Sequence, residues 1–471
     1  MQPDRSNRLG RDRVIRLLAS FSAPAIVGMM AQALYYFIDR IFVGRAIGSD
    51  GIAGMVVALP AMLVILAAGM LIGLGAGALV SIRLGEQRKA DAEQVLANAV
   101  FLMLALAALL TILGLTFLGP ILRLCGASPT ILPFAHDYLQ IIVLGTVFQV
   151  VGFGLNAIIR GEGNPKIAMA TLIIGVLLNL ALAPLFLFGL GWGMRGAGLA
   201  TVLAQAVSAL WAYGYFLGGW SLLRLRLAGL GPDWKTCAEI VVVGSPPCAM
   251  QLAASVMNSL LNQQLRVYGG DLAISALGII YTVAMLIAMP VYGINQGAQP
   301  IIGYNYGAGL FRRVKHTLLL AILAASSITV AGFTVSMLFP AQVIRLFAPG
   351  DPALIELGSH AMRICQLMLP LVGFQVISAS YFQAVGKPRQ AMFLSLSRQV
   401  LILIPAVLLL PRWFGLNGIW IAIPLADLLS SALTAAWLSV ELRHLDRRHQ
   451  QGRVPEPTAI PLAEEPPNPF P

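Results

Sequence analysis

Charged residues are scarce in this chain of 471 residues: they make up 11% of it, whereas hydrophobic residues make up 58%. A typical soluble domain has about 25% charged and about 45–50% apolar residues, so a soluble enzyme and a disordered protein are both excluded. Cysteine is scarce too. Its four copies are far apart without a CxxC pair, and the five histidines form no HExxH motif, which excludes a disulfide scaffold and the common zinc sites.

Nucleotide-binding motifs are also missing from the sequence. There is no Walker motif, and Gly69, Gly73 and Gly77 form a repeated GxxxG inside an apolar run, where it indicates close helix packing. We therefore expect neither ATP as an energy source nor any cofactor or metal. The net charge of +11 is explained below by loop charges, so it does not indicate nucleic-acid binding.

Long apolar runs are what the sequence does contain. A membrane-spanning helix needs about 20 apolar residues, and such runs recur throughout the chain, with turn residues between them. The fold class is therefore an all-α polytopic membrane protein with twelve transmembrane helices. The predicted spans cover residues 17–40, 52–80, 95–118, 138–160, 167–188, 197–218, 238–262, 273–302, 317–339, 359–383, 391–411 and 417–440.

Lysine and arginine predict the orientation, because loops on the cytoplasmic side of a membrane are enriched in them. With the N-terminus inside, the inside segments hold 22 of the 31 basic residues. Both termini are therefore expected in the cytoplasm, and the first span is read as a retained signal anchor. For a bacterial protein this places the chain in the cytoplasmic (inner) membrane, with the lipid bilayer as its surroundings.

The chain repeats itself after six spans. A shift of 222 residues superposes Pro24 on Pro246, Gly75 on Gly297 and Gly85 on Gly307. Because six is even, both halves enter the membrane in the same direction, which predicts two six-helix lobes related by a pseudo-two-fold axis along the membrane normal. Such repeats are a common transporter plan. The predicted segments are a cytoplasmic N-terminal segment (1–16), an N-terminal lobe (17–222), a cytoplasmic linker (223–237), a C-terminal lobe (238–445) and a disordered Pro-rich tail (446–471).

Asp39 is one of two acidic residues well inside predicted spans. An acid at the middle of a membrane helix costs on the order of 3 kcal/mol and marks a functional site by default. Gln32, Tyr35 and Asp39 are spaced i, i+3 and i+7 and so share one helix face, with Tyr36 beside them. This face suits a proton, a sodium ion or an organic cation, with cation–π contacts from the tyrosines. Alternatively, Asp39 caps its helix or pairs with a nearby arginine.

Asp427 is the second acid, in the last span, and Arg398 in the preceding antiparallel span lies at a similar depth. We predict a structural ion pair between Arg398 and Asp427, because pairing makes both charges tolerable within the membrane. An unpaired Asp427 would instead be a second coupling site.

Amide and hydroxyl side chains form stripes on several predicted spans. On the seventh span four of them, beginning at Gln251, are spaced i, i+4, i+7 and i+11 on one helix face. Such groups either line a cavity or hold helices together, and their presence in both halves favours a hydrated substrate cavity. The candidate cavity residues are Gln32, Tyr35, Tyr36, Gln149, Asn156, Gln251, Ser255, Asn258, Asn262 and Gln296.

Several segments resemble the multidrug and toxic compound extrusion (MATE) family. They are YFIDRIFVG at 36–44, RGEGNP at 160–165, NLALAPLF at 179–186, GAGLAT at 196–201 and QGAQPIIGYNYG at 296–307. The last of these, with SLSRQ at 395–399, is most similar to the MepA-like branch. The resemblance covers residues 15–445 and implies twelve helices in two lobes that export cationic drugs in exchange for protons or sodium.

The resemblance also implies coupling residues. The family's first-span acid falls on Asp39, its fifth-span asparagine on Asn179 and its sixth-span threonine on Thr201. Many members carry an aspartate four residues after that asparagine, where this chain has Ala183, and the seventh-span acid of another branch is missing as well. A sodium site with several carboxylates is therefore not expected. A single carboxylate suffices for a proton site where burial disfavours its charged form.

Three other functions fit less well. A flippase for a lipid-linked precursor would need a cavity rich in Arg and Lys, and few basic residues lie within the spans. A membrane enzyme would need clustered Asp, His or Ser at a membrane face, and a passive channel would need a span lined repeatedly with charge. We therefore expect a secondary transporter and not an enzyme, with organic cations and protons or sodium as partners. The internal repeat removes the need for a dimer, so a monomer is expected.

Overall fold

The computed structural model describes residues 5–125, 127, 129–224, 232–347 and 352–451. The side chains of Tyr36, Ser255 and Asn262 lie outside the described part, as do residues 225–231 of the linker and the tail beyond residue 451. The expectations for these residues therefore stay predictions.

The described residues form α-helices and short π-helical segments, and no strand. In chain order the α-helices are α1 (Arg5–Arg11), α2 (Val14–Ile47), α3 (Ser49–Gly85), α4 (Lys89–Thr116), α5 (Leu118–Leu124), α6 (Leu132–Leu144), α7 (Thr146–Gly161), α8 (Pro165–Pro184), α9 (Gly193–Leu217), α10 (Trp234–Gly307), α11 (Phe311–Leu338), α12 (Pro340–Phe347), α13 (Pro352–Cys365), α14 (Leu369–Ala384), α15 (Pro388–Leu396), α16 (Ile404–Leu409), α17 (Pro411–Phe414) and α18 (Leu416–Gln451). The π-helical segments are Leu185–Gly189 and Ser397–Leu403.

Ten helical segments in the described residues are long and apolar enough to cross a membrane by themselves, and α10 contributes two of them. These two are separated at Gly270, whose φ of 64° is a left-handed conformation that glycine adopts without a Cβ clash. The pairs α6–α7 and α13–α14 each pass the same test together, bent by 53° and 48°. Counting each bent pair as one span gives the twelve predicted from the sequence.

The bent spans are the main departure from the predicted helices. The sequence predicts a single span at 138–160 and another at 359–383, whereas the first is interrupted at Gly145 and the second between Cys365 and Leu369. Gly145 ends α6 and costs helix stability, and the second break is followed by Pro370 in the first turn of α14, where proline favours a helix start.

The two halves have matching folds. Helix α4 begins at Lys89 and α11 at Phe311, 222 residues later, and both helices contain 28 residues. The bends of the two broken spans also fall at corresponding positions. The molecule is therefore built from an N-terminal lobe, α2–α9, and a C-terminal lobe, α10–α18.

Glycine residues bring the two lobes into backbone contact. A Cβ atom on Gly244 would lie 1.6 Å from the carbonyl oxygen of Leu71, and one on Gly75 would lie 2.2 Å from that of Ile240. Farther along the same seam, a Cβ atom on Gly307 would lie 2.2 Å from the Ile82 carbonyl oxygen. The glycine-rich spans thus mark close helix packing, and the seam between the lobes has no room for side chains at these positions.

Polar contacts also join the lobes at one end of the seam. This end of the molecule contains the start of α2, the end of α3 and both ends of α10, and we call it the terminal face. Arg83 forms an ion pair with Glu239 across the seam at 3.2 Å. Asn305 and Arg313 of the C-terminal lobe both donate to the carbonyl oxygen of Leu9, at 3.0 and 3.1 Å. The lobes are therefore closed against each other at the terminal face.

Candidate functional site

Three residues singled out from the sequence meet inside the N-terminal lobe. The amide nitrogen of Asn179 donates to the Thr201 hydroxyl at 3.2 Å and to the Tyr35 hydroxyl at 3.4 Å. The hydroxyls of Tyr35 and Thr201 are themselves 3.3 Å apart. Three helices, α2, α8 and α9, supply one residue each, although the three lie far apart in sequence. We call this group the hydroxyl–amide cluster.

The cluster leaves one buried acceptor unsatisfied. Asn179 is 2% exposed, and its amide nitrogen donates to the two hydroxyls. Its Oδ1 has no hydrogen-bond partner among the described residues. A buried acceptor without a donor is costly, which suggests a place for a water, a proton-bearing group or a cation.

Asp39 lies beside this cluster, one helical turn after Tyr35 on α2. Residues four apart on a helix have neighbouring side chains, about 5–6 Å apart between Cβ atoms. Asp39 is 3% exposed. Asp39 is thus a buried acidic residue on α2, one helical turn after Tyr35 of the cluster and one turn before Phe42.

Phe42 packs against an apolar cluster that includes Ala183, the position at which the family resemblance led us to look for a second aspartate. Ala183 is fully buried and packs with Phe186 and Ala200. Hydrocarbon therefore occupies the place that a second carboxylate would need. Among the described residues, no group of three or more His, Cys, Asp or Glu side chains is arranged to hold a metal ion.

Two of the predicted cavity residues have other partners. Asn156 is 3% exposed, and its amide nitrogen donates to the Ala168 carbonyl oxygen at 2.7 Å, so it joins α7 to α8 instead of lining a cavity. Gln296 accepts from Arg160 at 2.5 Å across the seam between the lobes. The space beside this bond has a volume of about 10 Å³, enough for a single water but not for a drug.

Four other amides predicted to line the cavity differ in their exposure, and their assignment to the cavity stays a prediction. Gln149 has a buried carbonyl oxygen that finds no donor in the described ranges, Gln251 and Gln32 are partly buried, and Asn258 is exposed on α10. The sequence pattern could identify their helix faces but not which faces meet.

Arg398 and Asp427 are in direct contact in the C-terminal lobe. The Arg398 Nε donates to the Asp427 carboxylate at 2.5 Å, and the two side chains are 29% and 5% exposed. Arg398 lies in the π-helical segment Ser397–Leu403. The geometry is that of the ion pair predicted from the sequence.

A buried carboxylate at the terminal face had no counterpart among the sequence predictions. Glu162, between α7 and α8, is 1% exposed and accepts hydrogen bonds from the hydroxyls of Tyr215 and Ser221, the latter at 2.5 Å. Asn164 donates to the same tyrosine at 3.0 Å. Burial raises the pKa of Glu162 to about 7, against the opposing effect of these hydrogen bonds. The turn sequence GEGNP contains the residue but carries no signal for its partners.

Glu162 should make stability depend on pH. Its pKa in the folded protein is above the ordinary value of 4.5, so the folded state holds a proton that the unfolded chain has lost. The resulting stabilisation, about 3 kcal/mol, is complete below pH 4.5 and lost as the pH rises through 7. We expect Glu162→Gln to flatten the fall in Tm between about pH 5 and 8, whereas Glu356→Gln, at an exposed carboxylate, should not. An unchanged pH profile in the Glu162 variant would contradict this assignment.

Comparisons with known proteins agree with this architecture. The MatE family model matches residues 24–185 and 246–408, once in each lobe and with starts 222 residues apart. The multidrug export protein MepA of Staphylococcus haemolyticus is 26% identical over 92% of this chain and 94% of its own length, and MepA of Staphylococcus aureus (strain NCTC 8325) is 26% identical over 91% and 94%.

Solved structures give the same result. The MATE multidrug transporter DinF-BH, solved as a complex, is 40% identical, with a TM-score of 0.88 over 94% of this chain and 99% of that one. An outward-facing multidrug resistance MATE family transporter of the MOP superfamily is 26% identical, with a TM-score of 0.88 over 93% and 98%. The double family match, the two helical lobes and the repeated bent spans together show that this multi-pass membrane chain belongs to the MatE family of transporters.

Proposed function

We propose that this protein is a secondary active multidrug efflux transporter that exports organic cations by alternating access in exchange for protons. The observation that carries the proposal is the hydroxyl–amide cluster beside the buried carboxylate of Asp39, on three helices of one lobe. The relatives described as multidrug exporters support the substrate class.

The residues around Asp39 favour a proton over sodium as the coupling ion. Sodium prefers several oxygen ligands with compensating negative charge, and Ala183 with its apolar neighbours replaces the second carboxylate. Protonation neutralises Asp39 without further ligands. Tyr35, Asn179 and Thr201 would then position the carboxyl group and stabilise one protonation state over the other through their hydrogen bonds.

The transport cycle follows from this site. Protonation of Asp39 from outside would release the exported cation, and loss of that proton to the inside would restore a charged carboxylate for the next one. The remaining candidate residues, among them Gln32, Tyr36 and the amides of α10, would contact the substrate. Arg398 and Asp427 would hold the C-terminal lobe together.

The loop charges support an orientation with both termini in the cytoplasm of a bacterial cell, in its inner membrane. In this orientation the closed terminal face is the cytoplasmic one, so the lobes would be seen in an outward-facing state. Each lobe supplies half of the transport path, which makes a monomer the expected functional unit.

Efflux of a fluorescent cation from proteoliposomes tests the proposal. One pH unit should sustain about a tenfold cation gradient, because about 1.4 kcal/mol is a factor of ten. Exchange of one proton for one monovalent cation moves no net charge, so a potential of about 100 mV, which supplies about 2.3 kcal/mol per charge, should add no driving force. Efflux driven by sodium alone would overturn proton coupling. No gradient-dependent movement of several cations would overturn drug export and favour a lipid substrate.

A further inference from the structure

A groove of about 620 Å³ lies on the C-terminal lobe near the terminal face, within the range of about 300–1,000 Å³ typical of ligand sites. The end of α14, the start of α15 and the last turns of α18 form its walls. The side chains that matter for its chemistry are Phe382, Lys387, Gln390, Trp437, Glu441 and His444.

One wall of the groove is open to the side of the molecule. Trp437 and Val440 line it on α18 and are 39% and 56% exposed, although both lie in a membrane-spanning helix. Apolar groups exposed at this position face lipid, and tryptophan is enriched where membrane and water meet. The groove therefore opens towards the bilayer at the level of the lipid headgroups.

Positive charge collects at the other end of the groove. The Lys387 ammonium contacts both carboxylate oxygens of Glu441, at 2.5 and 2.6 Å, so these two charges offset each other. Arg389 and Arg443, each next in sequence to a lining residue, are exposed beside this pair, as is His444. We call Lys387, Arg389, Glu441, Arg443 and His444 the basic rim. Its net charge is positive, and it adjoins the apolar part of the groove.

The corresponding place in the N-terminal lobe is filled by the chain itself. The 222-residue shift places Trp437 on Tyr215 and Glu441 on Gly219. There the chain leaves α9, turns at Gly219 with φ of 73°, and returns so that Ser221 bonds Glu162 and Leu223 is 1% exposed. In the C-terminal lobe α18 continues as one helix to Gln451, so no described residue returns over the groove.

We propose that an anionic phospholipid occupies this groove, with an acyl chain along Trp437 and Val440 and its phosphate at the basic rim. Basic pockets between membrane helices bind acidic lipid headgroups by this combination of charge and apolar surface. Lys387 keeps a third N–H for the phosphate after contacting Glu441, and Arg389 and Arg443 supply the attraction. A zwitterionic lipid would fill the same channel but gain less from the rim.

Native mass spectrometry of the full chain from mixed micelles tests this, with phosphatidylglycerol and phosphatidylcholine of the same acyl chains as probes. We expect one phosphatidylglycerol to be retained in preference to phosphatidylcholine. Arg389→Gln and Arg443→Gln should each lower that preference about fivefold, since both side chains are exposed and each charge near an anionic headgroup contributes a factor of that size.

A matched pair of variants tests the location. Ala436 lines the groove and Ala435 is the neighbouring exposed alanine that does not. Ala436→Trp should abolish selective retention, and Ala435→Trp should leave it unchanged. Equal retention of both lipids, or equal effects of both tryptophans, would overturn the proposal. So would a severalfold gain in retention by the chain ending at Gln451, because the tail would then be the natural occupant.

Discussion

Asp39→Asn is expected to abolish efflux driven by a pH gradient, reducing it to the rate seen without a gradient. Asparagine has nearly the same size as aspartate and keeps a carbonyl oxygen beside the hydroxyl–amide cluster, but it cannot bind and release a proton. Because Asp39 is 3% exposed, the variant also removes a buried charge, so folding should be preserved. The readout is dye efflux from proteoliposomes under an imposed gradient of one pH unit.

Asp50→Asn is the matched control for this experiment. Asp50 lies just beyond the same helix, in the first turn of α3, and is exposed. It should transport like the unchanged protein. Full gradient-driven efflux by the Asp39 variant would show that this carboxylate is not the coupling group. The coupling groups would then be sought outside the N-terminal lobe.

The second large effect concerns Arg398 and Asp427. Either Arg398→Gln or Asp427→Asn alone leaves a charge uncompensated in the membrane interior, and we expect each to lower the free energy of unfolding by about 3–5 kcal/mol. The double variant removes both charges and should be more stable than either single variant. Denaturation in detergent micelles, followed by the loss of helical signal, measures the difference.

The exposed pair of Arg195 and Asp137, 3.0 Å apart with side chains 67% and 37% exposed, is the comparison. Neutralising either or both of these two residues should change the free energy of unfolding by no more than about 1 kcal/mol, because water screens exposed charges. If the double variant at 398 and 427 is as unstable as the worse single variant, the pair does not serve the structural role proposed for it.

The number of spans, the duplicated lobes and the choice of Asn179 and Thr201 as candidate residues of one site could be anticipated from the sequence, whereas their contacts with Tyr35 could not. The first two follow from the length of the hydrophobic runs and from the 222-residue offset between the halves. Neither signal depends on whether an individual helix is regular. The third depended on a resemblance to a family, because nothing in the spacing of these residues brings α2, α8 and α9 together. The bends near Gly145 and Pro370 were not predicted, because hydrophobic run length does not distinguish a straight span from a bent one.

Side-chain partners were the weakest part of the prediction. Helical periodicity places Asn156 on the same face as Gln149, but it cannot tell whether that face meets water or the backbone of α8. Gln296 was assigned to a cavity for the same reason, whereas the closed seam gives it Arg160 as a partner. Glu162 lies in a turn, where an acidic residue is ordinary, and its burial depends on a tyrosine 53 residues away.

The glycine seam has a consequence for the speed of the transport cycle. Where two surfaces interlock through large side chains, separation requires many rotamers to change together. At Gly75, Gly244 and Gly307 the lobes meet through backbone atoms, so parting needs no such rearrangement. The barrier to opening is then set by the loss of dispersion contacts, by the breaking of the few polar contacts across the seam, such as Arg83–Glu239 and Arg160–Gln296, and by the entry of water.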